Sequence, residues 1–347
     1  VVPLKILSLF GMPARGLAVS PDGGTVYAAI FKSGNQTTVV GATNLIFGPN
    51  STKYGKKGLT TDASGLGGSN LEILGAKKAP NTGVIVQYKN GHWVDSYGTN
   101  WDAYVPYSLP DKDVFAIDAN AASPVIKQEI PHVGTSLFNI AVNPVSGALY
   151  VSNYDARNLE RFEGDDRTDG KLSLNGRFIR NQITVIKNGQ VLPRNLNKHL
   201  VDAQTLGSPG DSEKSLAMPL QMQVSGNGQT LYLAAYGSSK IGVFNVDQLE
   251  NDSFVPSASS HINVSGGGPA GLVLDEARGR MYVLTRFNNS IAVVNTASRA
   301  ETASVPMYNP EPDFVVKGRP LLYDARFASA KGDVSCGSCH LFGDMDG

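Results

Sequence analysis

Cys336-Gly-Ser-Cys339-His340 sets two thiols and an imidazole side by side in a chain that holds no other cysteine. Two thiols separated by two residues can reach the two vinyl groups on one edge of a porphyrin, and the adjacent imidazole can turn under the ring to ligate iron. C-x-x-C-H is the pattern of c-type haem attachment. It predicts one covalent haem c joined to Cys336 and Cys339, with His340 as the metal ligand and its second ring nitrogen oriented by a neighbouring acceptor. Three other uses of the same residues stay open. A thioredoxin-like redox pair needs the motif to open a helix after a strand in a βαβ context, and nothing in the sequence alternates that way. A zinc site needs further ligands, and the remaining histidines, His92, His132, His199 and His261, are scattered and read as surface or packing residues. A plain structural disulfide is the third.

The elements that must carry this motif repeat. Four segments share an apolar-polar-apolar strand, a turn with glycine, and a second strand opening at a tyrosine: GLAVSPDGGTVYAAI from Gly16, FNIAVNPVSGALYVSN ending at Asn153, QMQVSGNGQTLYLAAY, and GLVLDEARGRMYVLT. In each, an aliphatic residue (Val19, Val142, Val224, Leu274) stands at one fixed distance before the tyrosine (Tyr27, Tyr150, Tyr232, Tyr282). A constant spacing marks one repeated supersecondary unit. A second signature supplies a further half-buried strand: IGVFN ending at Asn245, IAVVN at Asn295 and ITVIK at Lys187, with VFAID ending at Asp118 and VIVQY ending at Tyr88 as looser copies. Two hairpins share the turn Lys-Asn-Gly, at Lys89–Gly91 and Lys187–Gly189. The intervals between the first three tyrosines are multiples of about 41 residues, the length of a four-stranded blade. The predicted fold class is therefore all-β: a β-propeller of six or seven blades, seven favoured, over residues 1–312, with a sandwich as the less regular alternative. LKILSLF at the N-terminus is expected to give the outer strand of the last blade. The stretches Gly41 to Thr82 and Tyr154 to Arg180 are expected to be long loops on one face.

Composition narrows the function classes. Hydrophobic residues make up 41% and charged residues 17%, with 38 glycines and 19 prolines, a balance suited to short strands and tight turns. Thirty basic residues balance thirty acidic ones, so no global field draws a polyanion, and nucleic acid is not an expected partner. No apolar run approaches the roughly 20 residues of a membrane-spanning helix. G-x-S-x-G, Walker and H-E-x-x-H patterns are missing, and Gly266–Gly268 read as a turn. Glu163, Asp165, Asp166 and Asp169 read as a solvated acidic loop before a calcium site. Trp93, Trp101 and Tyr104 read as packing residues before an electron path. Met345 stands too close to His340 along the chain to reach the other side of the iron.

GRPLLYDARFASAKGDVSCGSCH, from Gly318 to His340, resembles the segment that introduces the first haem in bacterial di-haem cytochrome c peroxidases and MauG-like proteins, which carry a similar G-[RK]-x-L-[FY]-[FY]-D-x-R stretch, here with Leu322 at the first aromatic position, before V-S-C-x-x-C-H. The upstream repeats resemble the YVTN type of seven-bladed propeller. Together they imply an exported propeller fused to a cytochrome c segment. Residues 313–347 are then the start of a haem-binding segment, incomplete as it stands, which a further cytochrome domain or subunit is expected to cover. The implied function is electron transfer with a redox partner protein in the periplasm or outside the cell. A di-haem, peroxidase-like oxidoreductase with its second haem elsewhere and a propeller binding module with no redox role are the two alternatives.

Overall fold

Alternating strands separated by glycine turns fold into stacked antiparallel sheets in the computed structural model, which describes residues 5–41, 84–95, 98–157, 159, 177–200 and 207–343. The first sheet runs β1 (Ala14–Val19), β2 (Thr25–Ile30), β6 (Val114–Asp118), β7 (Val125–Ile130). Between β2 and β6 the chain makes a separate three-stranded sheet of β3 (Thr37–Val40), β4 (Val84–Lys89) and β5 (His92–Val94). The second sheet is β8 (Ser136–Val142), β9 (Leu149–Ala156), β10 (Ile179–Lys187), β11 (Gln190–Asn195). The third is β12 (Pro219–Val224), β13 (Thr230–Ala235), β14 (Lys240–Asn245), β15 (His261–Asn263), with α1 (Asp211–Lys214) before β12 and α2 (Val246–Glu250) between β14 and β15. The fourth is β16 (Pro269–Asp275), β17 (Arg280–Thr285), β18 (Ser290–Asn295), β19 (Ala300–Pro306).

Period-2 alternation stacks these sheets face to face. On β13, Leu231 and Leu233 join the core shared with Tyr150, Ile183 and Val185 of the second sheet. The intervening Tyr232 and Ala234 face the other way, into the core shared with Leu272, Met281 and Val283 of the fourth. A third core joins Ala29 and Val114 of the first sheet to Leu137, Ile140 and Val151 of the second. Fully burying one such aliphatic side chain stabilises the fold by about 1.5–3 kcal/mol. The first strands β1, β8, β12 and β16 lie side by side in that order. Four-stranded antiparallel meanders arranged around their first strands are the blades of a β-propeller. Both Lys-Asn-Gly turns close hairpins with two consecutive positive-φ residues, Asn90 (52°) and Gly91 (86°), Asn188 (53°) and Gly189 (74°), as a two-residue type I′ turn requires.

Several expectations need correction. Among the described residues there are four four-stranded blades, one for each tyrosine repeat. The long first interval is taken by the inserted β3–β5 sheet and by residues outside the described set, because an insertion and a degenerate blade occupy similar lengths of sequence. The last blade takes its fourth strand from β19, and residues 5–13 form no strand. The ends of the stretch read as a charged loop are strand: β9 continues through Tyr154 to Ala156, and β10 begins at Ile179. Glu163, Asp165, Asp166, Asp169 and nearly all of Gly41 to Thr82 lie outside the described residues. Trp93 and Trp101 are buried, packed with Val84 and Val86 of the inserted sheet. No helix among the described residues is long and apolar enough to cross a membrane.

The outer edge of the third blade carries a pH-dependent element. Lys240 is buried, and its ammonium donates to the carbonyls of Ser212 and Glu213 in α1 (Asp211–Lys214), both at 2.9 Å. Burial, with the Lys240 charge beside it, pushes the His261 imidazole down from 6.5 to about 4. Between those values the unfolded chain takes up a proton that the folded chain refuses. Stability present above pH 6.5 is therefore lost as the pH falls toward 4. His261→Gln is expected to remove up to about one proton from the slope of unfolding free energy against pH in that window. Urea midpoints of variant and wild type at several pH values check this, and parallel profiles would refute it.

Candidate functional site

After β19 the chain leaves the sheets as three short helices: α3 (Asp313–Tyr323), α4 (Ala325–Ala328) and α5 (Cys336–Cys339). Each is tied down locally. Asp324 is fully buried, caps α4 through the Arg326 amide at 3.0 Å and accepts from the Arg326 Nε at 2.9 Å. Its other oxygen accepts from the Ser239 hydroxyl at 2.8 Å, which fastens the helices to the third blade. Arg326 is held above its ordinary pKa by hydrogen bonding to that carboxylate. Asp333 faces Arg177 across 3.6 Å, both buried, and its carbonyl accepts from the Asn181 amide at 2.8 Å. Ser215 adds a bond to the Lys331 carbonyl at 2.6 Å. The Asp-x-Arg of the sequence motif is thus a helix cap with an ion pair. Arg177, which the sequence does not single out, anchors the segment from over a hundred residues upstream.

The Cys-x-x-Cys pair occupies one helical turn, and positions three apart on a helix project from the same face. Ser335 starts the turn, its amide donating to the Ser338 hydroxyl at 3.0 Å, and the His340 amide closes it on the Cys336 carbonyl at 3.1 Å. No disulfide joins the cysteines; Cys336 and His340 are exposed and Cys339 is half-buried. The structure therefore brings together the three residues singled out from sequence, at the surface. Among the described residues no three His, Cys, Asp or Glu side chains converge on a bare metal ion. His92 and His132 instead pair with Asp102 and Asp111, at 2.7 and 2.8 Å. Met345, Asp344 and Asp346 lie outside the described residues.

Gly337 is buried beneath the turn, where an added Cβ would stand 2.8 Å from Cε1 of Tyr323. Gly337→Ala is expected to cost about 1–3 kcal/mol through overpacking, and Tyr323→Ala in the same chain should recover most of that loss. Thermal unfolding of the single and double variants checks this. Equal destabilisation with and without Tyr323 would mean that the contact is not the cause.

An apolar cavity of about 320 Å³ opens beside the motif, where the helical segment meets the starts of β12 and β16. Met218, Leu220, Tyr236, Tyr323 and Phe342 line it, together with the exposed Arg286 at its rim and the largely buried Arg319. Tyr236 packs edge-on against Phe287 and Tyr323, centroids 5.1 and 5.6 Å apart, and burial pushes its phenol up to about 12. Phe342 packs at a tilt against Phe31 and edge-on against Phe138, and lies under the Arg15 guanidinium at 4.0 Å. Tyr154, beside Ser338 and Cys339, is fully buried, which raises its phenol. Phe342 follows the motif closely, but its partners come from distant sequence, and no local pattern marked them.

No protein-family model matches this chain, and no curated protein matches it. Among solved structures, the periplasmic gluconolactonase of Pseudomonas aeruginosa is similar at 11% identity and a TM-score of 0.45, over 90% of this chain and 62% of that one. Kuenenia stuttgartiensis hydrazine synthase is similar at 14% identity and a TM-score of 0.38, over 82% and 84%. A putative 6-phosphogluconolactonase from Bacteroides uniformis is similar at 12% identity and a TM-score of 0.40, over 87% and 60%. This chain spans less than two thirds of the length of either lactonase. Likeness at these scores assigns no residue a role, and the fold rests on the strand order given above.

Proposed function

We propose that this chain is an exported c-type cytochrome in which a β-propeller carries one haem c, attached to Cys336 and Cys339 and ligated by His340, and that it passes electrons to a redox partner protein. The observation that carries this is the placement of both cysteines on one face of a single helical turn, without a disulfide, next to an exposed His340 and an apolar cavity. The donor set fits the group: two thiols for the porphyrin edge, one imidazole for the iron, and an apolar wall for the ring. A bound haem supplies a one-electron iron couple. Cys336 and Cys339 would fix its edge to α5, His340 would set its proximal ligation, and Tyr236, Tyr323 and Leu220 would keep water from its surroundings.

Residues 313–347 would then be the haem-binding segment, with a further cytochrome domain or subunit over the exposed motif. Attachment outside the cytoplasmic membrane, as the family resemblance implies, gives a periplasmic or extracellular location. Electron transfer is the reading favoured here; peroxidase-like chemistry would need a second haem in addition to the one that these two cysteines would hold. Reductive titration of protein made in cells that attach c-type haem tests the role. Reversible uptake of one electron per chain is expected, and a chain without a reversible redox band would overturn it.

A further inference from the structure

Among the described non-glycine residues with positive φ, only Met218 (φ 50°) and Phe342 (φ 56°) carry apolar side chains. The others are polar or charged, the types that tolerate this region more readily in turns. For a bulky side chain the conformation costs of order 1–3 kcal/mol and persists where surrounding structure imposes it, most often at functional sites. Met218 and Phe342 come from distant parts of the chain, and both line the cavity beside Cys336–His340. Met218 is 1% exposed, held by its amide donating to the Asn181 side chain at 3.0 Å and its carbonyl accepting from the Tyr236 amide at 3.0 Å.

The rim differs from the walls. Arg319 is committed: its guanidinium pairs with Glu311 and donates to the carbonyls of Arg286 and Phe287 at 3.1 and 3.4 Å. The Arg286 side chain is exposed and makes no hydrogen bond or ion pair among the described residues. An apolar cavity with an uncommitted guanidinium at its lip suits a flat apolar group with an anionic edge. Arginine is well matched to carboxylates because its planar fork can donate two parallel bonds.

We propose that this cavity receives the apolar face of the haem held by Cys336 and Cys339, and that Arg286 binds one of its propionates. The inference rests on the c-type haem assignment and adds where the ring sits. A cation beside the porphyrin favours the ferrous state, and a propionate left unpaired favours the ferric state.

The test uses full-length protein with haem attached in the cell, as wild type and as Arg286→Gln, Ala270→Phe and Arg278→Gln. Ala270 lines the cavity, so phenylalanine would fill it. Arg278 removes the same charge at the opposite end of β17, about 20 Å away by strand rise. Haem content should be equal in all four. Arg286→Gln should shift the reduction equilibrium about tenfold toward ferric, 59 mV for one electron. Ala270→Phe should displace the haem absorption bands, and Arg278→Gln should do neither. Attached haem with wild-type potential in Arg286→Gln and wild-type bands in Ala270→Phe would overturn the proposal while leaving the haem assignment standing. No attached haem in wild type would remove both.

Discussion

Asp333→Ala is expected to lower the unfolding free energy by about 3–5 kcal/mol and to loosen the helical segment from the blades. Asp333 and Arg177 are each about 2% exposed, with the Arg177 Nε 3.6 Å from Asp333 Oδ2. Arg177 also donates to the Leu200 carbonyl at 2.9 Å, and Asp333 accepts from the Ser329 hydroxyl at 3.1 Å. Removing one partner of a buried pair takes a counter-ion away from a desolvated charge, which is where a penalty of that size arises. Adding Arg177→Leu to Asp333→Ala should therefore cost much less than the sum of the two single changes. Lys317→Ala provides the contrast, since Lys317 and Asp313 are 79% and 92% exposed and lie 3.5 Å apart on the surface of α3. Its effect should stay within about 0.5 kcal/mol. Urea unfolding of these variants checks all three statements, and a cost for Asp333→Ala no larger than that of Lys317→Ala would contradict them.

The second large effect concerns the thiols. Cys336→Ala combined with Cys339→Ala is expected to abolish covalent haem completely while leaving the blades folded. Neither cysteine belongs to any of the three inter-blade cores, which are built mainly from strand residues. Far-ultraviolet circular dichroism and the thermal midpoint of the haem-free chains should match, and the visible spectrum of the double variant after denaturing purification should be blank. Haem that survives denaturation of the double variant would show that attachment does not use these residues.

What the sequence made legible was local. The tyrosine repeats became the second strands β2, β9, β13 and β17. The I-x-V runs became the third strands β6, β10, β14 and β18, with VIVQY as β4 of the inserted sheet. The Lys-Asn-Gly pairs became I′ turns. Each of these depends on a period of two or on one backbone conformation, and both are written in a few adjacent residues. Blade number was not legible, because residue count cannot separate an insertion from a degenerate blade. The N-terminal LKILSLF alternates like a strand yet forms none among its described residues, since β19 already occupies the edge it would need. The motif itself was local and complete at Cys336, Cys339 and His340. Its surroundings were not: Arg177 meets Asp333, and Met218, Arg286 and Phe342 line one cavity, only because the blades stack.

The most direct measurement is a pyridine haemochrome spectrum of the wild-type chain after denaturing chromatography, taken from cells that attach c-type haem. One haem per chain with the α-band of a c-type adduct is the expected result. A chain that elutes colourless, with Cys336 and Cys339 recovered as thiols or as a disulfide, would contradict the assignment and leave a propeller without a redox cofactor.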